Sequence, residues 1–161
     1  MQRRIFAIAA LAACVVALPT AVSAAKAAAG VVYGAETSPG YPVVIELSKT
    51  GRKVVKASIG LELKCQMPPD VTLPDAIRNV PVSRTGRFRT SQPVTRIDAD
   101  PATGQPALDV SASVIGRVNK ARTRITGTWQ RKIVIYNAGD PATSGVFDTC
   151  DTGALRFTAK Q

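Results

Sequence analysis

The chain has 161 residues, 45% of them hydrophobic, with 21 Lys+Arg against 11 Asp+Glu and no histidine. Without an imidazole it cannot build a Ser-His-Asp hydrolase, a Cys-His protease or a His-ligated metal site, because each needs a ring nitrogen as base or ligand. The formal charge of +10 favours anionic partners over cationic ones.

Residues 1–24 read as a secretory signal. Arg3 and Arg4 form its positive start, Ile5 to Leu18 its apolar run, and Pro19 ends the helix. Val22-Ser23-Ala24 offers the short residues a signal peptidase reads, so cleavage is expected after Ala24. The apolar run falls short of the ~18 to 20 residues a span needs and no second one follows, so the mature chain should hold no transmembrane span. Leu11-Ala12-Ala13-Cys14 supports an alternative, a lipobox that would anchor the protein through Cys14. The expected location is therefore secreted or periplasmic, with a lipoprotein as the minor alternative. Residues 25–30 are a flexible lead-in and 31–161 a single β domain. Cys65 and Cys150 remain after cleavage and should pair in an oxidising compartment. Closing a loop of about 85 residues stabilises by ~4 to 5 kcal/mol in the chain-entropy estimate.

Beyond the lead-in the dominant period is two. Val43, Ile45 and Leu47 alternate inward, as do Val55, Ala57, Ile59, Leu61, Leu63 and Cys65. A three-residue loop Lys49-Thr50-Gly51, with Gly51 left-handed, would pair Ile45 with Val55 and Val43 with Ala57. Residues 66 to 81, rich in proline, read as one long irregular loop with a helical turn around Asp75 to Asn79. The turn string recurs at Ser83-Arg84-Thr85-Gly86-Arg87, setting Val82 opposite Phe88. Asp100-Pro101-Ala102-Thr103-Gly104 and the similar segment from Asp140 to Gly145 are type I turns.

The longest hairpin runs from Leu108 to Ile135. Its inward residues are Leu108, Val110, Ala112, Val114 and Val118, facing Ile125, Trp129, Ile133 and Ile135. An Asn119-Lys120 turn would pair Val118 with Ala121, Val114 with Ile125 and Val110 with Trp129. Carried from Ala121 to Tyr136, the second strand would reach about 50 Å, so it must bend near Gly127 or at Arg131-Lys132. A last hairpin around Asp151-Thr152-Gly153 would pair Cys150 with either Ala154 or Leu155.

The Asp-Thr-Gly tripeptide lacks the aliphatic context of aspartic proteases and reads as a turn. Ile125-Thr126-Gly127-Thr128-Trp129 resembles the opening strand of avidin-like barrels, but lies far into the domain and brings one tryptophan. The carboxylate pairs Asp98/Asp100, Asp148/Asp151 and Glu46/Glu62 sit beside nothing that would drive their pKa values apart. We expect no enzyme, no metal and no cofactor. The outer face of the long hairpin is more informative, because the expected register sets Arg117 opposite Arg122, with Lys120 in the turn and Arg124 and Lys132 along the strand. Like charges across a sheet repel, and a bridging anion relieves them.

Thr37-Ser38-Pro39-Gly40-Tyr41-Pro42 near the start, and Thr149-Cys150-Asp151-Thr152-Gly153-Ala154-Leu155-Arg156-Phe157-Thr158-Ala159 at the end, resemble a group of small exported bacterial proteins. That group has a Thr-Ser-x-Gly-x-Pro opening, basic β-strands, a central cysteine and a Cys-Asp-Ser/Thr-Gly ending. The resemblance implies the fold and an exported location, and transfers no site.

The sequence thus predicts an antiparallel all-β domain of eight or nine strands, a sandwich or small closed barrel, stapled by Cys65–Cys150. Its expected role is non-catalytic contact with anionic glycan or lipid surfaces through Arg117, Lys120, Arg122, Arg124 and Lys132. Nucleic acid is the least favoured anion, as interleaved surface aromatics are missing. The alternatives are a protease inhibitor or other protein-binding module using the 66–79 loop, and a small-ligand barrel.

Overall fold

The computed structural model describes residues 30–137 and 145–161. The signal, Cys14, the lead-in as far as residue 29 and most of the second Asp-Pro turn lie outside those residues. The described chain forms nine strands and no helix: β1 (Val31–Glu36), β2 (Pro42–Leu47), β3 (Lys53–Cys65), β4 (Val71–Pro81), β5 (Arg87–Ile97), β6 (Leu108–Val118), β7 (Arg124–Tyr136), β8 (Val146–Asp151) and β9 (Leu155–Lys160). Hydrogen bonding runs β3-β2-β1-β9-β7, and β8 then bridges β7 back to β3, closing a six-stranded antiparallel barrel. Outside this ring β4 lies along β3, β6 along β7 and β5 along β6. The expectation of a sandwich or barrel resolves as a barrel, and closure leaves fewer exposed edges.

The alternation in β2 and β3 buries Val43, Ile45, Leu47, Ala57, Ile59, Leu61 and Leu63 as expected. Val55 is the exception, because Leu47 pairs with Val54 whereas Glu46 pairs with Lys56. The extra residue is a bulge that flips the phase, so Val54 is buried in its place. Gly51 is left-handed (φ 67°), as the turn reading requires. Yet the loop closes with Ser48 N donating to Lys53 O at 2.9 Å, and Ile45 pairs with Ala57 instead of Val55. The Ser83–Arg87 turn does close as expected, with Ser83 N donating to Arg87 O at 2.8 Å, and it joins β4 to β5. Val82 and Phe88 are both buried beside it.

The β6–β7 hairpin keeps its expected faces but shifts by four residues. Val118 pairs with Ile125, Val114 with Trp129 and Val110 with Ile133. Asn119 explains the longer loop: its Oδ1 accepts from Thr123 N at 2.9 Å and Arg124 N at 3.1 Å, and its own N donates to Arg124 O at 2.9 Å. Arg122 takes the left-handed conformation (φ 56°) that turns the chain back. Arg117 therefore faces Thr126, not Arg122, which corrects the expected like-charge pair. Gly116 and Gly127 face each other between Phe88 on β5 and Phe157 on β9. A Cβ on Gly116 would lie 2.1 Å from Phe88 Cζ, and one on Gly127 would lie 2.5 Å from Phe157 Cζ. The two rings pack over the bare glycines, burying Gly116 and leaving Gly127 partly exposed.

Proline misleads the reading of residues 66–81. Only Gln66–Asp70 forms a connection, and 71–81 is strand β4, with Pro74 opposite Gly60 and Asp75 opposite Ile59. Pro74 is tolerated because β4 ends the pairing order and needs no donor on its free side. There is no helical turn at 75–79. Asp75 instead accepts from Trp129 Nε1 at 2.9 Å and from Arg131 NH1 at 2.7 Å, tying β4 to β7.

The last expected hairpin is also absent. β8 and β9 pair in line along β7, with Asp151 opposite Lys132 and Leu155 opposite Trp129. The strand β7 changes partner at the Arg131-Lys132 interruption, where Thr152 N donates to Arg131 O at 3.0 Å. Cys65 and Cys150 are bonded directly opposite each other where β8 meets β3.

Gly116→Ala should destabilise the fold by about 2 kcal/mol, an overpacking cost in a dense core, measurable as a lower denaturant midpoint. A second expectation concerns acid. Arg96 binds Asp109 through Nε at 2.8 Å and NH2 at 2.7 Å, Tyr136 OH donates to it at 2.6 Å, and these contacts lower its pKa from 3.8 to about 2. A depressed folded pKa contributes stability above the unfolded value that is lost as pH falls from about 4 to about 2. Melting curves across that window should show a smaller acid-induced drop for Asp109→Asn than for the unmodified chain.

Candidate functional site

In an antiparallel meander, alternate turns lie at the same end. The turns joining β2 to β3, β4 to β5 and β6 to β7 are Ser48-Lys49-Thr50-Gly51-Arg52-Lys53, Ser83-Arg84-Thr85-Gly86-Arg87 and Asn119-Lys120-Ala121-Arg122-Thr123-Arg124. Together they carry Lys49, Arg52, Lys53, Arg84, Arg87, Lys120, Arg122 and Arg124, and not one carboxylate. The links at the other end reverse the sign. Gln66–Asp70 brings Asp70, the β5–β6 connection brings Asp98 and Asp100, and neither holds a lysine or arginine.

Backbone contacts hold the three turns together. Val82 N donates to Arg52 O at 2.8 Å, and Val118 N donates to Gly86 O at 2.9 Å. Gly86 (φ 80°) approaches β6 so closely that a Cβ would lie 2.3 Å from Val118 O. From the core, the buried Tyr33 hydroxyl donates to the carbonyl oxygen of Arg122, 89 residues away in sequence. The Arg122 side chain lies across Gly51, where a Cβ would stand 3.0 Å from its guanidinium carbon. The repeated string also repeats a local contact, with Ser48 and Thr50 hydroxyls 3.3 Å apart and those of Ser83 and Thr85 3.0 Å apart.

Between the turns lies a groove of about 830 Å³ lined by Arg52, Arg84, Arg117, Lys120, Arg122 and Arg124. None of these six enters an ion pair found among the described residues. Four acids away from the groove are already engaged: Asp75 with Arg131, Asp109 with Arg96, and Asp70 and Glu62 with Lys64. The groove consequently keeps an unbalanced positive charge, and its arginines present planar donors suited to phosphate, sulfate or carboxylate.

Of the residues expected at the site, Arg117, Lys120, Arg122 and Arg124 come together here. Lys132 does not, because it lies further along β7 opposite Ser111 and Asp151. Arg52 and Arg84 were missed. The signal for them was in the strand order, since alternate meander turns share an end, and both belong to the repeated Ser-x-Thr-Gly-Arg string. The like-charge pair exists with a different partner: Arg117 stands directly opposite Arg87 of β5.

A second groove, of about 860 Å³, adjoins the first and shares Val82, Ser83, Arg117 and Thr126 with it. Trp129 lines neither groove, being fully buried with its Nε1 on Asp75. Asp151-Thr152-Gly153 forms a local turn in which Gly153 (φ 62°) donates its N–H to Asp151 Oδ1 at 2.6 Å. Cys65 and Cys150 lie near Asp148, but both sulfurs are in the disulfide and Asp148 accepts from Gln66 N at 3.0 Å and Met67 N at 3.3 Å. Comparison with protein families, curated proteins and solved structures found no match for the chain.

Tyr33→Phe leaves the Arg122 carbonyl without its core partner and should cost about 1 to 2 kcal/mol. Amide exchange at Arg122 to Arg124 should quicken more than exchange in β2, which hydrogen-exchange mass spectrometry can resolve.

Proposed function

We propose that the protein is an exported, non-catalytic binding module that meets anionic glycan or lipid surfaces with the turn end of its barrel. The observation that carries this reading is the convergence of Arg52, Arg84, Arg117, Lys120, Arg122 and Arg124 on one groove whose lining includes no carboxylate. A basic protein needs no such gathering to be soluble, for which charges of both signs spread over the surface suffice. Here Glu62, Asp70, Asp75 and Asp109 are instead paired with cations elsewhere, and Asp98 and Asp100 lie on an opposite link. The result is a directional field along the barrel that orients the turn end towards a negative surface.

The mechanism is electrostatic capture followed by hydrogen bonding. Long-range attraction steers the turn end, and guanidinium groups then engage anionic oxygens in pairs of N–H contacts. The backbone bonds between the three turns matter because they place the cations before binding, which limits the ordering cost.

Retention on vesicles of phosphatidylglycerol and phosphatidylcholine should fall steeply between 50 and 300 mM salt and be absent on phosphatidylcholine alone. With about fivefold in affinity per cation at an anionic surface, Arg122→Ala/Arg124→Ala should weaken retention on the order of 20- to 30-fold. Lys132→Ala should leave it nearly unchanged. Equal losses in the two variants, or retention indifferent to salt, would refute the groove as the contact.

A further inference from the structure

We propose, resting on the reading above, that the two adjoining grooves form one site for an anionic amphiphile, with a phosphate head at Arg87 and Arg117 and an alkyl chain laid across β5, β6, β7 and β9. Two rows of side chains cross these four strands on the face away from the core. One row is Arg89–Ile115–Thr128–Arg156, and the next is Arg87–Arg117–Thr126–Thr158. The first row places an apolar residue between arginines. Ile115, 47% exposed, is the one large apolar side chain in these two rows, which are otherwise basic and hydroxylated.

The groove over these rows, about 860 Å³, is within the range of small-molecule sites. Pro81 and the arginine stems add apolar wall, since long cationic side chains lie along apolar surface while their heads stay in water. The second row sets Arg117 directly opposite Arg87, a repulsive arrangement that a bound dianion turns into an attractive one. Arg117 and Thr126 also line the cationic groove, so a head group there remains continuous with the turn-end charge. Thr126 stands directly opposite Arg117, with Thr158 next along the row, and both carry hydroxyls that can donate to head-group oxygens.

The combination selects the ligand class. A plain polyanion uses the arginines but leaves Ile115 and its apolar surround in water, and a neutral apolar ligand uses Ile115 but leaves the Arg87–Arg117 repulsion in place. A phosphate monoester with an alkyl tail satisfies both.

The test is a calorimetric titration of the purified protein with inorganic phosphate and with ethyl, butyl, hexyl and octyl phosphate, each below its micelle concentration. Affinity should climb roughly three- to fourfold per methylene that enters the groove. Ile115→Thr, which keeps the β-branched strand residue, should flatten that climb, and Arg87→Ala should lower every member of the series while preserving it. Affinity independent of chain length, or a climb unaffected by Ile115→Thr, overturns the amphiphile site. If the climb is absent while vesicle retention stays salt-labile and sensitive to Arg122→Ala/Arg124→Ala, the amphiphile site falls and the surface-binding reading stands. If retention is also indifferent to salt, both fall.

Discussion

The structure depends on a strand of six residues. β8 pairs with β7 through most of its length and with β3 at Lys64 and Cys65, and the Cys65–Cys150 bond fixes it at the second contact. Without that bridge, the ends of β3 and β7 would each present unpaired backbone groups, and the sheet from β4 to β5 would be open. Antiparallel alternation decides which turns share an end, and closure draws the strands that carry them around one barrel. The charge polarity is a consequence of that order: the three turns at one end carry only cations, and the links at the other carry only acids among their charged residues.

What the sequence discloses about the fold is parity, and what it conceals is register. Ile45 was expected opposite Val55 and lies opposite Ala57, while Val114 was expected opposite Ile125 and lies opposite Trp129. The shifts are two and four residues. Even shifts leave the paired side chains on their faces, with Val54 and Val55 at the β3 bulge the exception, so a hydrophobic pattern cannot distinguish them. The loop chemistry makes the choice, through the Ser48–Lys53 closure in one hairpin and the Asn119 side chain in the other. Proline density hid β4, because an edge strand accepts Pro74 where a central one would not. The in-line arrangement of β8 and β9 along β7 was hidden for another reason. A short Gly-containing segment between two apolar runs signals a reversal, and Asp151–Ala154 is instead an outward loop in a continuing ladder.

The candidate site was half legible for the same reason. Which residues are basic is written in the chain, but which basic residues meet is a property of the strand order. Reasoning within one hairpin grouped Lys132 with Arg122 and Arg124 because they share a strand, yet β7 runs too far for one groove to include them all. Arg52 and Arg84 come from other hairpins and were invisible to that reasoning. The recurrence of Ser-x-Thr-Gly-Arg was visible from the start, and it marked two cationic turns that share a left-handed glycine and a Ser–Thr hydroxyl contact although they close at different spacings.

Gathering cations at one end works against the fold. Side chains of like sign repel across short distances, and Arg87 opposite Arg117 is the plainest case. The barrel tolerates this because the turns are held by contacts that do not involve their charges: Val82 N to Arg52 O, Val118 N to Gly86 O, and the Tyr33 hydroxyl to the Arg122 carbonyl. Those bonds join uncharged groups, so they set the cationic arrangement in the free chain. A bound anion then removes repulsion already present in the folded chain and has no comparable target in the unfolded one. By linkage, the ligand that fits the groove also stabilises the barrel. On the proposed reading, the geometry that strains the free protein would supply part of the free energy of anion binding.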